Sequence, residues 1–210
     1  MASYNFDTTV VDGTFDDGSG NGHLLRAVVR NGGAVQLVPH AGGRAVEFPR
    51  KCAVDAGCAR LVLQAADTPD LNPGAAPLRF GAAVKLAPEE TGAGENIVQK
   101  GYSTAGGQYK LQVDGISGKP SCVMSDRSAP AIHVARSRDS IADGGWHTLE
   151  CRRSGPTLSI VVDGQVTRSV AIPATLSVVT TQPLSVGGKG VGADNDQFHG
   201  TVDDVWIRIG

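Results

Sequence analysis

The chain reads as all-β: two stacked antiparallel sheets, each turning an apolar face inward. Three observations predict this. Glycine counts 28 and proline 11 of 210 residues, against 2 methionines and 5% aromatic residues, a composition of short strands and tight turns. Apolar and polar residues alternate with period two in one segment after another. No window carries a capped helical period, so nothing competes with strands for the core.

Each element follows from that alternation. "RLVLQA" (60–65), "LRFGAAVKL" (78–86) and "NIVQKGY" (96–102) read as strands. In "QYKLQVDG" (108–115), Tyr109, Leu111 and Val113 share one face and Gln108, Lys110 and Gln112 the other, closed by Asp114-Gly115. In "TLSIVVDGQVTRSV" (157–170), Leu158, Ile160 and Val162 point one way, and Asp163-Gly164 supplies the positive φ angles of a two-residue hairpin. "TVDDVWIRIG" (201–210) is a closing strand. The Pro/Gly-rich pieces "DTPDLNPGAAP" and "TGAGEN" are short enough for inter-strand loops. With no linker and no repeat, residues 1–210 are expected to form a single domain around one core.

Bulk properties exclude several classes. A net charge of −2 argues against nucleic-acid binding, and no apolar run is long enough for a membrane span. The cysteines Cys52, Cys58, Cys122 and Cys151 lack metal-ribbon spacing, and their even number fits two disulfides in an oxidising compartment. Sequence alone allows three pairings. The short loop "CAVDAGC" can close on itself, so Cys52–Cys58 with Cys122–Cys151 is the expected set. "MASYNFDTT" has neither a basic nor an apolar leader region. Secretion would then imply that a signal peptide has been removed, with Met1 in its place.

Four motifs in order carry a resemblance. "GWHTLECRRSGPTLSIVVDG" (145–164) runs from a Trp-His pair through two alternating strands to Asp-Gly. "YNFD" followed by "DDGSGNGHLL", then "PLSVGGK", then "FHGTVDDVWI" complete the series from about Tyr4 to Ile209. The chain resembles laminin-G-like domains of the concanavalin A-like superfamily, bacterial secreted type. The resemblance implies a two-sheet antiparallel jelly-roll sandwich. It also implies a structural calcium ion held chiefly by Asp203, with Asp7 and the carbonyl of Gly43 as companions.

Fold does not assign chemistry. Glu89, Glu90 and Glu95 lie in a Gly-rich loop rather than at alternate positions on a strand, which excludes the glucanase pattern of that superfamily. "DGSGNGH" and "GGKGVG" are turns, not a nucleophile elbow or a P-loop. His147 reads as a strand-start residue beside Trp146 rather than a catalytic group. Trp206 reads as core or sheet edge, with sugar stacking as the alternative. Arg136 and Arg138 beside Asp139 read as a solvated loop, with an anionic glycan as the alternative.

The candidate ligand site is the polar set Gln99, Lys100, Tyr102, Gln108, Lys110 and Gln112, with His133 nearby. Amides and ammonium groups bond hydroxyls and neutralise acids. The expected function is a secreted, non-catalytic recognition module binding carbohydrate, neutral or anionic, on the concave sheet face. Two alternatives stand beside it: a polysaccharide lyase acting on uronic-acid glycans, and an adhesion domain with an extracellular protein partner.

Overall fold

The computed structural model describes residues 1–8, 12–53, 57–126 and 131–210. Two antiparallel sheets face each other. The back sheet runs β14 (Gln165–Ala171), β13 (Thr157–Val162), β12 (Trp146–Ser154), β7 (Leu78–Lys85), β16 (Thr201–Ile209), β5 (Gly43–Glu47) and β4 (Gln36–His40), with β1 (Ala2–Tyr4) also paired to β16. The front sheet runs β11 (His133–Arg136), β10 (Lys119–Asp126), β9 (Gly107–Asp114), β8 (Glu95–Tyr102), β15 (Leu184–Val186), β6 (Arg60–Ala65), β3 (Leu25–Arg30) and β2 (Thr14–Phe15). This is the jelly-roll sandwich that the motifs implied.

The inward faces are those the alternation assigns. Tyr109, Leu111 and Val113 of β9 and Leu158 and Ile160 of β13 are buried in one core with Phe80, Leu149 and Ile207. Phe80 and Tyr109 meet across the sheets with ring centroids 5.0 Å apart. Asp163 and Gly164 both take positive φ (49° and 79°), the two-residue hairpin expected between β13 and β14. Cys122 of the front sheet is bonded to Cys151 of the back sheet, and Cys52 to Cys58.

β16 departs from a plain core strand. Its pairing with β7 shifts between Asp203 and Trp206, and Asp204 sits at φ 46°. A bulge of this kind re-aims the side chains on either side of it. Before it Thr201 and Asp203, and after it Trp206 and Arg208, fall in register with Lys85, Ala83, Gly81 and Arg79 of β7.

Candidate functional site

Strand register builds a floor on the outer face of the front sheet. Val134 of β11 stands opposite Val123 of β10, Val123 opposite Lys110 of β9, Lys110 opposite Gln99 of β8, and Gln99 opposite Ser185 of β15. Side chains two apart share a face, so Gln108 and Gln112 flank Lys110 on this floor. Over it lies a cleft of about 670 Å³ lined by Gln99, Tyr102, Gln108, Lys110, Gln112 and Lys189, among others.

The loop after β15 forms the far wall, contributing Lys189, Gly190, Gly192 and residues 194–196. It is anchored from below. Gln197 donates to the carbonyls of Leu61 (2.9 Å) and Gly187 (2.7 Å) and accepts from the Leu61 amide, while Asn195 accepts from Arg60. Lys189 pairs with Asp196 at 3.2 Å and Asp194 at 3.6 Å. Ile132 and Val134 give the opposite wall an apolar edge.

The floor groups differ in what they still have to offer. Gln99 is committed, accepting from Asn96 (2.6 Å) and donating to the Gly101 carbonyl (2.7 Å). Gln112 donates to Ser121 at 3.2 Å. Tyr102 donates its hydroxyl to the Lys189 carbonyl at 2.7 Å, and burial pushes its pKa up. Gln108 and Lys110 make no side-chain hydrogen bond or ion pair among the described residues. Burial lowers the Lys110 pKa, opposed by the charge of Asp196. A half-buried ammonium without a partner favours an incoming acceptor.

Lys100 does not belong with these residues. Adjacent residues of a strand face opposite ways, so Gln99 on the floor puts Lys100 in the interior. There it is fully buried, donating to Asp67 at 2.5 Å and to the Gln182 carbonyl at 2.8 Å. Tyr102 would share that inward face, but Gly101 takes φ 82° and turns the chain toward the cleft. His133 is also absent from the lining, which takes its neighbours Ile132 and Val134.

His147 serves the hairpin. Its Nδ1 donates to Asp163 Oδ2 at 2.8 Å and Nε2 lies 3.2 Å from Asp143, while Asp163 Oδ1 accepts the Thr148 amide at 2.8 Å. Trp146 stacks on His40 with centroids 3.7 Å apart. Arg136 pairs with Asp114.

The calcium ligands implied by the resemblance come to one turn but not to one cage. His40 pairs with Gly43 across the β4–β5 turn. Asp7 accepts the Arg44 amide at 2.8 Å and lies where a Cβ on Gly43 would stand. Asp203 accepts the Asp204 amide on Oδ1 (2.7 Å) and His40 Nδ1 on Oδ2 (2.6 Å), and burial raises its pKa. Among the described residues no three His, Cys, Asp or Glu side chains gather around one point. With both Asp203 oxygens engaged in this way, a calcium ion bound there would compete with His40.

Several solved structures share this architecture. Domain 4 of an extracellular arabinanase from Geobacillus stearothermophilus, in complex with arabinotriose, is 17% identical with a TM-score of 0.71, over 100% of this chain and 91% of that one. The binding domain of Paraclostridial mosquitocidal protein 1 is 15% identical with a TM-score of 0.69, over 98% of this chain and 48% of that one. The binding domain of botulinum neurotoxin DC in complex with SialylT is 10% identical with a TM-score of 0.65, over 98% and 47%. The chain thus spans about half the length of the toxin binding domains. At these identities the likeness concerns the fold. No curated protein matches the chain in sequence. The family model Laminin_G_3, described as concanavalin A-like lectin/glucanases superfamily, matches residues 65–208. With more than half of its length so matched, the chain belongs to the Laminin_G_3 family of that superfamily.

Proposed function

We propose that the protein is a non-catalytic extracellular module that binds carbohydrate in the cleft over β8, β9 and β10. The carrying observation is the pair of uncommitted polar groups on its floor, Gln108 and Lys110, beside the apolar edge of Ile132 and Val134. A sugar offers hydroxyls to amides and ammonium and a C–H face to an apolar wall, which is the mixture this cleft provides. Structural neighbours captured with arabinotriose and with SialylT support a glycan ligand. The two disulfides support an oxidising location, and no helix is long and apolar enough to cross a membrane.

A lyase needs a base within reach of the substrate proton. The tyrosine lining the cleft donates its hydroxyl to the Lys189 carbonyl and has a raised pKa, both of which weaken it as a base. A neighbouring toxin domain is in complex with rat synaptotagmin II, so a protein partner is the competing reading.

The test is calorimetric titration with arabino-oligosaccharides, sialyllactose and oligogalacturonates. Binding of one of them, weakened about tenfold by Lys110→Ala and by Gln108→Ala, is expected from the loss of one charged or neutral hydrogen bond. Affinity unchanged in both variants refutes the site, and absorbance from unsaturated uronate refutes the non-catalytic reading.

A further inference from the structure

The back sheet carries a second feature. Arg208 of β16 stands directly opposite Arg79 of β7, and Arg79 directly opposite Arg152 of β12. Three arginines therefore lie in one register row across three adjacent strands, on the outer face. Neighbouring strands are about 4.8 Å apart, so the row spans roughly 10 Å. Like charges directly opposite one another destabilise a sheet. Among the described residues one carboxylate answers them: Glu150, one row over, accepts from both Arg79 and Arg152 at 2.6 Å. Arg208 is exposed and its guanidinium lies over the Trp206 ring at 5.2 Å, with Arg79 on the same ring at 5.8 Å.

Next to the row is a shallow hollow of about 250 Å³ lined by Trp206, Thr148, Glu150 and Asp204, over the small residues Ala82 and Ala83. The row continues in hydroxyls: Arg152 is opposite Ser159, and Ser159 is opposite Ser169, their oxygens 2.8 Å apart. Guanidinium forks match carboxylate and sulfate geometry. The hollow beside them is of sugar size and carries a hydroxyl, two carboxylates and an indole.

We propose that this face is a second binding site, separate from the front-sheet cleft, for an acidic polysaccharide laid across β16, β7 and β12. Its carboxylate or sulfate groups meet Arg208, Arg79 and Arg152 in turn, and a sugar ring occupies the hollow at Trp206. The short, three-arginine extent of the row favours such a single-chain polymer over the two closely charged backbones of duplex nucleic acid.

Binding is read by biolayer interferometry on immobilised polygalacturonate and dextran sulfate, with neutral dextran as control, at low and at physiological salt. The wild type is expected to bind the polyanions and to weaken with salt. Arg79→Gln/Arg208→Gln should lose at least tenfold in affinity and much of the salt dependence. The charge-matched control Arg26→Gln/Arg30→Gln, on exposed β3 positions of the other sheet, should behave as wild type. Glu150→Gln should bind more tightly, because it releases two guanidinium groups. Arg208→Gln alone, at an exposed position, should weaken binding should the double variant melt early. The proposal is overturned by a wild type that ignores both polyanions, by equal losses in the two double variants, or by tighter binding to double-stranded DNA or phosphatidylserine vesicles than to either polysaccharide.

Discussion

Replacing Glu95 with Gln should change the sign of its effect on stability between acid and alkaline solution. Glu95 opens β8, is 1% exposed, and accepts the amides of Gly92 (2.5 Å) and His199 (3.3 Å). Burial pushes its pKa from 4.5 up to about 7, against the opposing pull of those two bonds and of Lys51. A folded pKa above the unfolded one means the native state holds a proton that the unfolded chain releases. Stability is therefore greatest below about pH 4.5, falls as pH rises to about 7, and is level beyond. The gap corresponds to roughly 3 kcal/mol at 1.36 kcal/mol per unit. Gln does not titrate, and it forfeits one acceptor oxygen, at a cost of about 1 kcal/mol at every pH. Glu95→Gln should thus be about 1 kcal/mol less stable than wild type at pH 4 and about 2 kcal/mol more stable at pH 8. Urea unfolding of both proteins at the two pH values measures this, and His199, whose pKa burial lowers, titrates in both and largely cancels. A stability difference that is the same at pH 4 and pH 8 would refute the reasoning.

Three further outcomes follow from the same structure. Cys122→Ala/Cys151→Ala opens a 29-residue loop and should cost about 4 kcal/mol, against about 2 for the 6-residue Cys52–Cys58 loop, by denaturant unfolding; equal losses would contradict the loop-length argument. Lys100→Ala should lower stability by about 3 kcal/mol, because it strands Asp67, and should leave glycan affinity as it is; a loss of affinity in a protein that melts normally would return Lys100 to the site. His40→Ala and Asp203→Ala should lower the melting temperature alike, with calcium and EDTA without effect; a rise with calcium that Asp203→Ala abolishes would restore the ion.

The parts legible in the sequence are those where a period carries the information. Gln108, Lys110 and Gln112 line the cleft because β9 alternates cleanly, and the same rule applied one strand away excludes Lys100 once Gln99 is placed. Reading the run "NIVQKGY" by residue type rather than by parity is what grouped Gln99 with Lys100. β10, "KPSCVMSD", is hard to read as a strand because Ser121, Val123 and Ser125 face out while Cys122 and Met124 face in, and no polarity contrast separates them. Lys189 and residues 194–196 sit in an aperiodic Gly-rich loop whose position depends on Gln197 and Arg60. The pairing of His40 with Asp203 joins residues 163 apart, and no local signal encodes it.

The Cys122–Cys151 bond also determines how the domain would carry force. Cys122 neighbours Val123 on the cleft floor, and Cys151 lies between Glu150 and Arg152 on the back sheet. Two sheets joined only by side-chain packing peel apart one contact at a time when pulled from opposite faces. Here a tether gripping the front and an anchor gripping the back would also load a covalent strap between β10 and β12, set mid-strand in both and away from the loops that connect the sheets. Under oxidising conditions β10 and β12 resist such a pull together; reduced, the same load passes to the apolar seam and to the loops that connect the sheets.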